Sequence, residues 1–336
     1  MSAPAPSMYS PAAQAVARDL GLKPGRANLD VFGDTMIELG RADADVFAVT
    51  SDSRGSGKLG PFAAALPNQI IELGIAEQNL VGVAAGLAST GRRVFAVSPA
   101  CFLTARALEQ IKNDVAYSDN AVKLVGISAG VSYGALGSTH HSLHDLAALR
   151  AIHNVAILVP ADNAEARAAV LAAAHCDRPT YLRFGKAPLF DLPNPPAELP
   201  IGKARPVRDG TGLAFLATGE TVIHALLAAE QLHRQHGVNC RVLSLHTVKP
   251  LDDAAVLAAA RDCGAVITVE EHSVNGGLGE ACASLLLQAG VPCKFKIVGI
   301  PDEYTVTGSQ ADIFRHYGIT MEGLLATAER LLSLAQ

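Results

Sequence analysis

Short apolar runs alternate with helical patterns along almost the whole chain, and this alternation limits the possible folds more than any other feature. DVFAVTSD, QIIELG, RVFAVSPA, AVKLVGISAG, NVAILVPAD and PTYLRFG are short apolar runs that give out into Gly, Pro, Ser or Asp. Between them lie helical stretches such as FLTARALEQIKNDVAY and NAEARAAVLAAAH. Strands that are apolar throughout, rather than at alternate positions, need cover on both faces, so the pattern predicts a parallel sheet flanked by helices. APLFDLPNPPAELPIGKARP, from Ala187 to Pro206, is too rich in proline to continue either element and is expected to be a linker. A second alternating set follows, from GLAFLAT to CKFKIVGI, closed by a helix near GLLATAERLLSLA. The expectation is an α/β protein of two domains, each a mainly parallel sheet flanked by helices. An N-terminal extension covers 1–28, the first domain 29–186, the linker 187–206 and the second domain 207–336. At 336 residues the chain is long enough for two such cores.

Composition excludes several function classes. The net charge is −5 and no basic block occurs, so nucleic acid is not an expected partner. Six cysteines are scattered with no C-x-x-C pair, which fits reduced thiols in a cytoplasmic protein better than a disulfide framework or a zinc site. The start MSAPAPSMYSPAAQ lacks the charged and apolar segments of a signal peptide. No apolar run reaches the ~18 residues of a membrane span.

In open parallel sheets, ligands gather at the C-terminal ends of the strands. Those ends carry Asp52, Glu77, Phe102 and the loop GALGSTHHSLHD. Glu77 stands out because its surroundings, NQIIELGIAEQNLVGVAAGLA, are apolar and glycine-spaced. Gln69 to Leu73 reads as a short buried strand, Gly74 breaks it, and Gln78 to Ala88 has the small-apolar spacing of a helix packed on a sheet. Glu77 then lies near a helix N-terminus, where the dipole favours negative charge and a carboxylate can satisfy free backbone N–H groups. GSGKLG at Gly55 lacks the spacing of a phosphate-binding loop, and GGLGEA at Gly276 is explained by a tight turn into a helix.

Three stretches, in this order, resemble the C-terminal half of a transketolase: ELGIAEQNLVGVAAGLASTGRRVFAVSPACFLTARALEQIKNDVAY, GSTHHSLHDLAALRAIHNVAILVPADNAEA and VITVEEHSVNGGLGEA. The similarity runs from about Leu29 to the end. Full-length transketolases carry a further N-terminal domain that holds thiamine diphosphate through a magnesium-binding G-D-G…N signature, and no G-D-G occurs here. The resemblance therefore implies the small subunit of a split transketolase, made of the pyrimidine-binding and C-terminal domains and inactive alone. Its expected partner is a larger subunit carrying the diphosphate site and ligating Mg2+, in an α2β2 complex. The expected reaction transfers a two-carbon ketol unit from a phosphorylated or otherwise anionic ketose to an aldose, with an unusual ketose or an oxoacid as alternative donors. The resemblance places Glu77 against N1′ of the cofactor's aminopyrimidine, where a carboxylate can share a proton and an amide cannot. It places Phe102 flat against the same ring; Asp52, by its place at a strand end, is expected to join them in binding the cofactor. Relatives supply further aromatics where this chain has Ala105 and Leu108, so the ring pocket must be completed differently.

His140 matches the family's active-site histidine, whose ordinary pKa suits proton transfer near neutrality. The residues alone leave a metal site at His140, His144 and Asp145 open, since H-x-x-x-H can align on a helix face. No glutamate accompanies that pattern, however, and the loop precedes the helix. His141 is expected to touch substrate or to support His140, and His272 to serve structure beside the GGLG turn. Sugar-phosphate transketolases clamp the phosphate with two arginines, a serine and a histidine. Lys186 aligns with one arginine and Ser56 with the serine, but the remaining positions fall at Leu29 and Ser128. Leu136 replaces an aspartate that relatives aim at a substrate hydroxyl. Two other classes share parts of this pattern. One is the β subunit of a thiamine-dependent 2-oxo acid dehydrogenase or a related oxoacid-processing enzyme, less well matched by THHSLHDLAALRAI. The other is a non-catalytic scaffold, which would need none of Glu77, Phe102 and His140.

Overall fold

The computed structural model describes residues 7–334. The first six residues of the stretch read above as no signal peptide lie outside the described residues. The first half contributes β1 (Pro24–Ala27), β2 (Val46–Thr50), β3 (Ile70–Glu72), β4 (Arg93–Pro99), β5 (Lys123–Ile127), β6 (Ala156–Leu158), β7 (Thr180–Arg183) and β8 (Pro188–Phe190). The second contributes β9 (Arg205–Arg208), β10 (Leu213–Ala217), β11 (Cys240–Ser244), β12 (Thr247–Lys249), β13 (Ala265–Ser273) and β14 (Lys294–Ile300).

Seven strands form the first sheet, in the order β12-β6-β7-β5-β4-β2-β3, all parallel except β12. Successive side chains of a strand point to opposite faces, and here both faces are buried. Phe95 and Val97 of β4 enter one core with Leu29, Phe32 and Met36, while Val94 and Ala96 enter the other with Leu80, Val81 and Ala84. That is why these strands are apolar without alternation. The second sheet, β14-β13-β10-β11-β9, repeats the plan with one antiparallel edge strand, β9. Phe215 packs on one side of it and Ala214 and Leu216 on the other. The expected architecture of two mainly parallel sheets flanked by helices is therefore present. No helix among the described residues is long and apolar enough to cross a membrane.

One local expectation is corrected and three gain detail. The Gln69–Leu73 strand is not buried: β3 is the last strand of its sheet, pairs only with β2 and stays partly exposed. The helix Glu77–Ala88 packs on the sheet as expected, through Leu80, Val81, Ala84 and Ala85, while Gly82 and Gly86 face open space. The proline-rich 187–206 segment contributes β8, which pairs antiparallel with β1, and it buries Leu189, Leu192 and Leu199. Residues before 29 are also built in. The helix Pro11–Asp19, capped by Ser10, puts Ala13, Val16 and Ala17 into the second domain's core.

Polar contacts join the halves. β12 leaves the second half to pair with β6. Arg205 of β9 reaches Glu165 (3.0 Å) and Asp162 (3.4 Å), and Ser244 donates to Glu165 (3.0 Å). At the opposite side, Arg183 of β7 donates to Asp145 (2.7 Å), the Ser142 carbonyl (3.1 Å) and the Glu271 carbonyl (2.9 Å), and Tyr181 donates to Asp145 (2.7 Å). Burial alone would raise the Asp145 carboxyl, but the charge and hydrogen bonds of Arg183 outweigh it and hold the group below its ordinary value. Because the folded-state value is depressed, this stabilisation is full above the unfolded pKa of about 4 and is lost as pH falls through the folded value. Arg183→Met leaves Asp145 buried with its cation gone and is expected to cost about 3–5 kcal/mol. Urea unfolding at pH 7 reads this directly. Adding Asp145→Asn is expected to recover part of the loss, because the uncompensated charge goes with it.

Candidate active site

The C-terminal ends of β2, β3, β4 and β5 open on one side of the first sheet, and the candidate residues meet there. After β3, Gly74 turns the chain in the left-handed region (φ 70°) and the helix Glu77–Ala88 begins at once. Glu77 is only 4% exposed. It does not act as a cap: among the described residues its carboxylate accepts no backbone N–H, and its partner is the Arg106 guanidinium at 2.9 Å.

Pro99 ends β4 and the helix Ala100–Arg106 follows, with Phe102 half-buried in its first turn. The Phe102 ring meets His140 edge-on, with centroids 5.2 Å apart at 71°. His140 in turn meets Tyr133 at 5.4 Å and 76°. A cation lies over each end of this aromatic row: Arg106 Cζ is 4.1 Å above Phe102, and Lys186 Nζ is 4.7 Å above Tyr133. Ala105 and Leu108 are exposed, and Phe102 and His140 are flanked instead by Arg106 and Tyr133. Sequence reading missed both. The available signals were Arg106 four residues after Phe102 on one helix face, and Tyr133 in the same loop as the histidines.

The histidine loop divides its labour. His140 Nδ1 lies 2.9 Å from Thr139 Oγ1, and its Nε2 has no hydrogen-bond partner among the described residues, so that nitrogen is available to a ligand. His141 is buried with both ring nitrogens engaged, Nε2 by the Gly134 carbonyl (2.9 Å) and Nδ1 by Thr305 Oγ1 (3.1 Å). Of its two expected roles, this geometry favours the supporting one: His141 anchors the loop to the second half. The metal alternative fares no better. His144 turns to Thr104 Oγ1 (3.2 Å) and Asp145 is taken by Arg183 and Tyr181, so His140, His144 and Asp145 serve three different partners. His272 is fully buried, and burial pushes it down to about 4. Neutral, it accepts from the Ala147 N–H (3.4 Å) and donates to the Ser273 carbonyl (2.8 Å), a joint between the halves.

The other candidates spread around the rim. Asp52 is exposed in a left-handed backbone conformation (φ 52°) at the end of β2. Its N–H donates to Glu72 (2.6 Å), and no hydrogen bond or ion pair joins its side chain to Glu77, Phe102 or His140. Ser56 is exposed in the turn that also carries Lys58, which pairs with Asp30 at 2.9 Å. Burial, and then the charge of Lys58, push Lys186 down, which marks a site where an anion would be welcome. Leu29 is buried in the core and cannot face a ligand, Ser128 is buried with its hydroxyl unpaired, and Leu136 is 55% exposed on the histidine loop.

A buried carboxylate pair supports the loop from the second half. Glu271 accepts from the Val131 N–H (2.8 Å) and from Gln310 Nε2 (2.9 Å), and the same amide nitrogen donates to Glu220 (3.0 Å). Gly130 and Gly185 make room for these groups, since a Cβ at either would overlap the Glu271 or Glu220 carboxyl. Burial, and then the charge of Glu271, push Glu220 well above the ordinary glutamate value. An acid whose folded pKa is raised keeps a proton that the unfolded chain has released, so stability falls as pH rises from the ordinary glutamate range toward about 8. Glu220→Gln should flatten that decline. Melting temperatures at pH 5 and pH 8 are expected to draw closer together in the variant than in the wild type.

Comparison with known proteins places the chain in a family. The family model for the transketolase pyrimidine binding domain matches residues 25–190, and that for the transketolase C-terminal domain matches residues 202–324. The chain is 49% identical to an apulose-4-phosphate transketolase subunit of Phocaeicola vulgatus, covering 88% of this chain and 95% of that one. It is 35% identical to the 6-deoxy-6-sulfo-D-fructose transketolase subunit SqwH of a Clostridium species, covering 90% and 93%. Against the 1-deoxy-D-xylulose-5-phosphate synthase of Thermomicrobium roseum it is 37% identical, but it spans only 47% of that longer protein. A solved split gene transketolase, described as an inactive beta4 tetramer, superposes with a TM-score of 0.83 at 34% identity, over 93% of this chain and 100% of that one.

Proposed function

The chain belongs to the transketolase family, and from that premise we propose that it is the small subunit of a split transketolase that moves a two-carbon ketol unit from a phosphorylated ketose to an aldose. In this reading residues 29–186 are the pyrimidine-binding domain, 187–206 the linker and 207–336 the C-terminal domain. The observation that carries it is the buried Glu77 carboxylate beside the Phe102 face on which Arg106 stacks. A flat group with a donor aimed at Glu77 fits there, as the Arg106 guanidinium already demonstrates, so the residues suit the aminopyrimidine of thiamine diphosphate.

The division of work follows from the side chains. Glu77 would hold and return a proton at the ring nitrogen N1′, and Phe102 would fix the plane of the ring. When bound, thiamine diphosphate supplies the carrier chemistry for the two-carbon unit. His140 presents Nε2 to the substrate's oxygens and can move a proton there near neutral pH. Lys186 would meet the anionic end of the sugar as a point charge. The relatives' names support an anion at that end: apulose-4-phosphate in one case and a sulfo sugar in the other. A larger partner subunit would bring the diphosphate-binding residues and Mg2+, in an α2β2 complex. Two features support that partnership. The alignment covers nearly all of the Phocaeicola transketolase subunit but about half of the single-chain synthase. Large apolar side chains also stay exposed close by: Ile75, two residues before Glu77, is 74% exposed, and Tyr117, on the turn packed against the Glu77 helix, is 78% exposed.

The purified chain with thiamine diphosphate and Mg2+ is expected to show no ketol transfer until the larger subunit is added. Full turnover by the chain alone would sink the split-enzyme reading. In the reconstituted complex, Glu77→Gln is expected to cut turnover by ~10² or more, the scale for losing a positioned acid–base partner, with the melting temperature little changed. A helix cap would behave oppositely, losing about 1 kcal/mol of stability with turnover intact. Lys186→Met should raise KM for a phosphorylated ketose by about tenfold, the scale of one hydrogen bond to a charged group, and leave kcat nearly alone.

A further inference from the structure

Arg106 holds two contacts that a bound aminopyrimidine would also need. It lies one turn after Phe102 on the helix Ala100–Arg106, so the two side chains share a helix face. Its Cζ stands 4.1 Å above the Phe102 ring, and its Nη1 is 2.9 Å from Glu77 Oε1. A guanidinium is flat, cationic and carries its donors around its rim. Stacked on Phe102 and pointed at Glu77, it reproduces in shape and hydrogen bonding what the ring would present to the same two residues. The distances admit one flat group at a time: nothing else fits between a guanidinium and an aromatic face in van der Waals contact.

We propose that Arg106 is an internal occupant of the pyrimidine slot, and that cofactor entry displaces it. The proposal rests on the assignment of Glu77 and Phe102 to the aminopyrimidine. Physical chemistry gives a reason for such an occupant. Glu77 is 4% exposed, and a buried carboxylate without a partner is costly. The side chain of Arg106 is 48% exposed, so it can swing into water, where a guanidinium is well solvated, without crossing packed protein. The exchange keeps one donor on Glu77 and one flat face on Phe102 throughout. Its consequence is competition. The apparent affinity for the ring is lowered by the fraction of molecules in which Arg106 still occupies the slot.

The test follows binding rather than turnover. The probes are 4-amino-5-hydroxymethyl-2-methylpyrimidine with the full chain, read by saturation-transfer NMR, and thiamine diphosphate with the two-subunit complex, read by calorimetry. Arg106→Ala removes the occupant and is expected to tighten binding of both probes, by about three- to tenfold if Arg106 fills the slot in two thirds to nine tenths of the molecules. Arg106→Lys keeps the cation but not the flat plane, and should fall between alanine and wild type. Added methylguanidinium should weaken pyrimidine binding in Arg106→Ala and leave the wild type unaffected, which a merely structural arginine would not produce. Weaker or unchanged binding in Arg106→Ala, with wild-type binding intact, overturns the proposal while leaving the cofactor reading standing. No binding of either probe to wild type or variant, with or without the partner, removes the cofactor reading and the proposal with it.

Discussion

One buried cation organises the region where the two sheets meet. Arg183, at the end of β7, spends its guanidinium on Asp145, on the Ser142 carbonyl that closes the histidine loop, and on the Glu271 carbonyl in the second half. A fully buried guanidinium is stable only with several acceptors in fixed places. Its presence therefore ties three segments that are far apart in sequence to one geometry. The histidine loop is held at its other end as well. Glu271 accepts the Val131 N–H, Gly130 bridges to Ser142, and His141 ties the middle to Gly134 and Thr305. Held at so many points, the loop has one position in which to present His140.

Three carboxylates near helix starts show how the same chemistry is put to different uses. Glu270 accepts from the N–H groups of Leu278 and Gly279, at the start of the helix Leu278–Gln288, and is a structural anion whose pKa burial pushes up to about 7. Asp145 is locked by Arg183 and Tyr181 deep between the halves. Only Glu77 is paired with a side chain that reaches solvent. An anion satisfied by backbone or by a buried arginine cannot change partners without unfolding something, whereas one satisfied by a half-exposed arginine can. Burial with an exchangeable partner is what sets the Glu77 carboxylate apart from the other two here.

The charges around the aromatic row are arranged with the same economy. Arg106 and Lys186 stand over Phe102 and Tyr133, at opposite ends, with His140 between. A ring-shaped ligand would take the Phe102 face that Arg106 now covers, and an anionic group at the other end would meet the Lys186 cation over Tyr133. The chain thus offers orientation, a proton-sharing carboxylate and a positive rim. The contributions assigned to a second polypeptide, a diphosphate cradle and a magnesium ion, complement this set without duplicating it.

Local periodicity made much of this legible in the sequence. Runs such as VFAV and LVGI, apolar without alternation, determined strands buried on both faces, and that requirement determined a parallel sheet with helices above and below. The Gly74 break and the apolar spacing after it determined that Glu77 stands at a strand-to-helix junction, and GSTHH placed a histidine loop at the same end of the sheet. What the sequence left open were choices of partner. Nothing local says that Glu77 pairs with Arg106, 29 residues on, that His141 is tied at both nitrogens while His140 keeps one open, or that β3 falls at the edge of its sheet. Those outcomes follow from the strand order β12-β6-β7-β5-β4-β2-β3, which brings the ends of distant strands side by side. Periods of about 2.0 and 3.6 residues specify which face of an element is buried, and only the packing of elements against one another decides which residues meet across it.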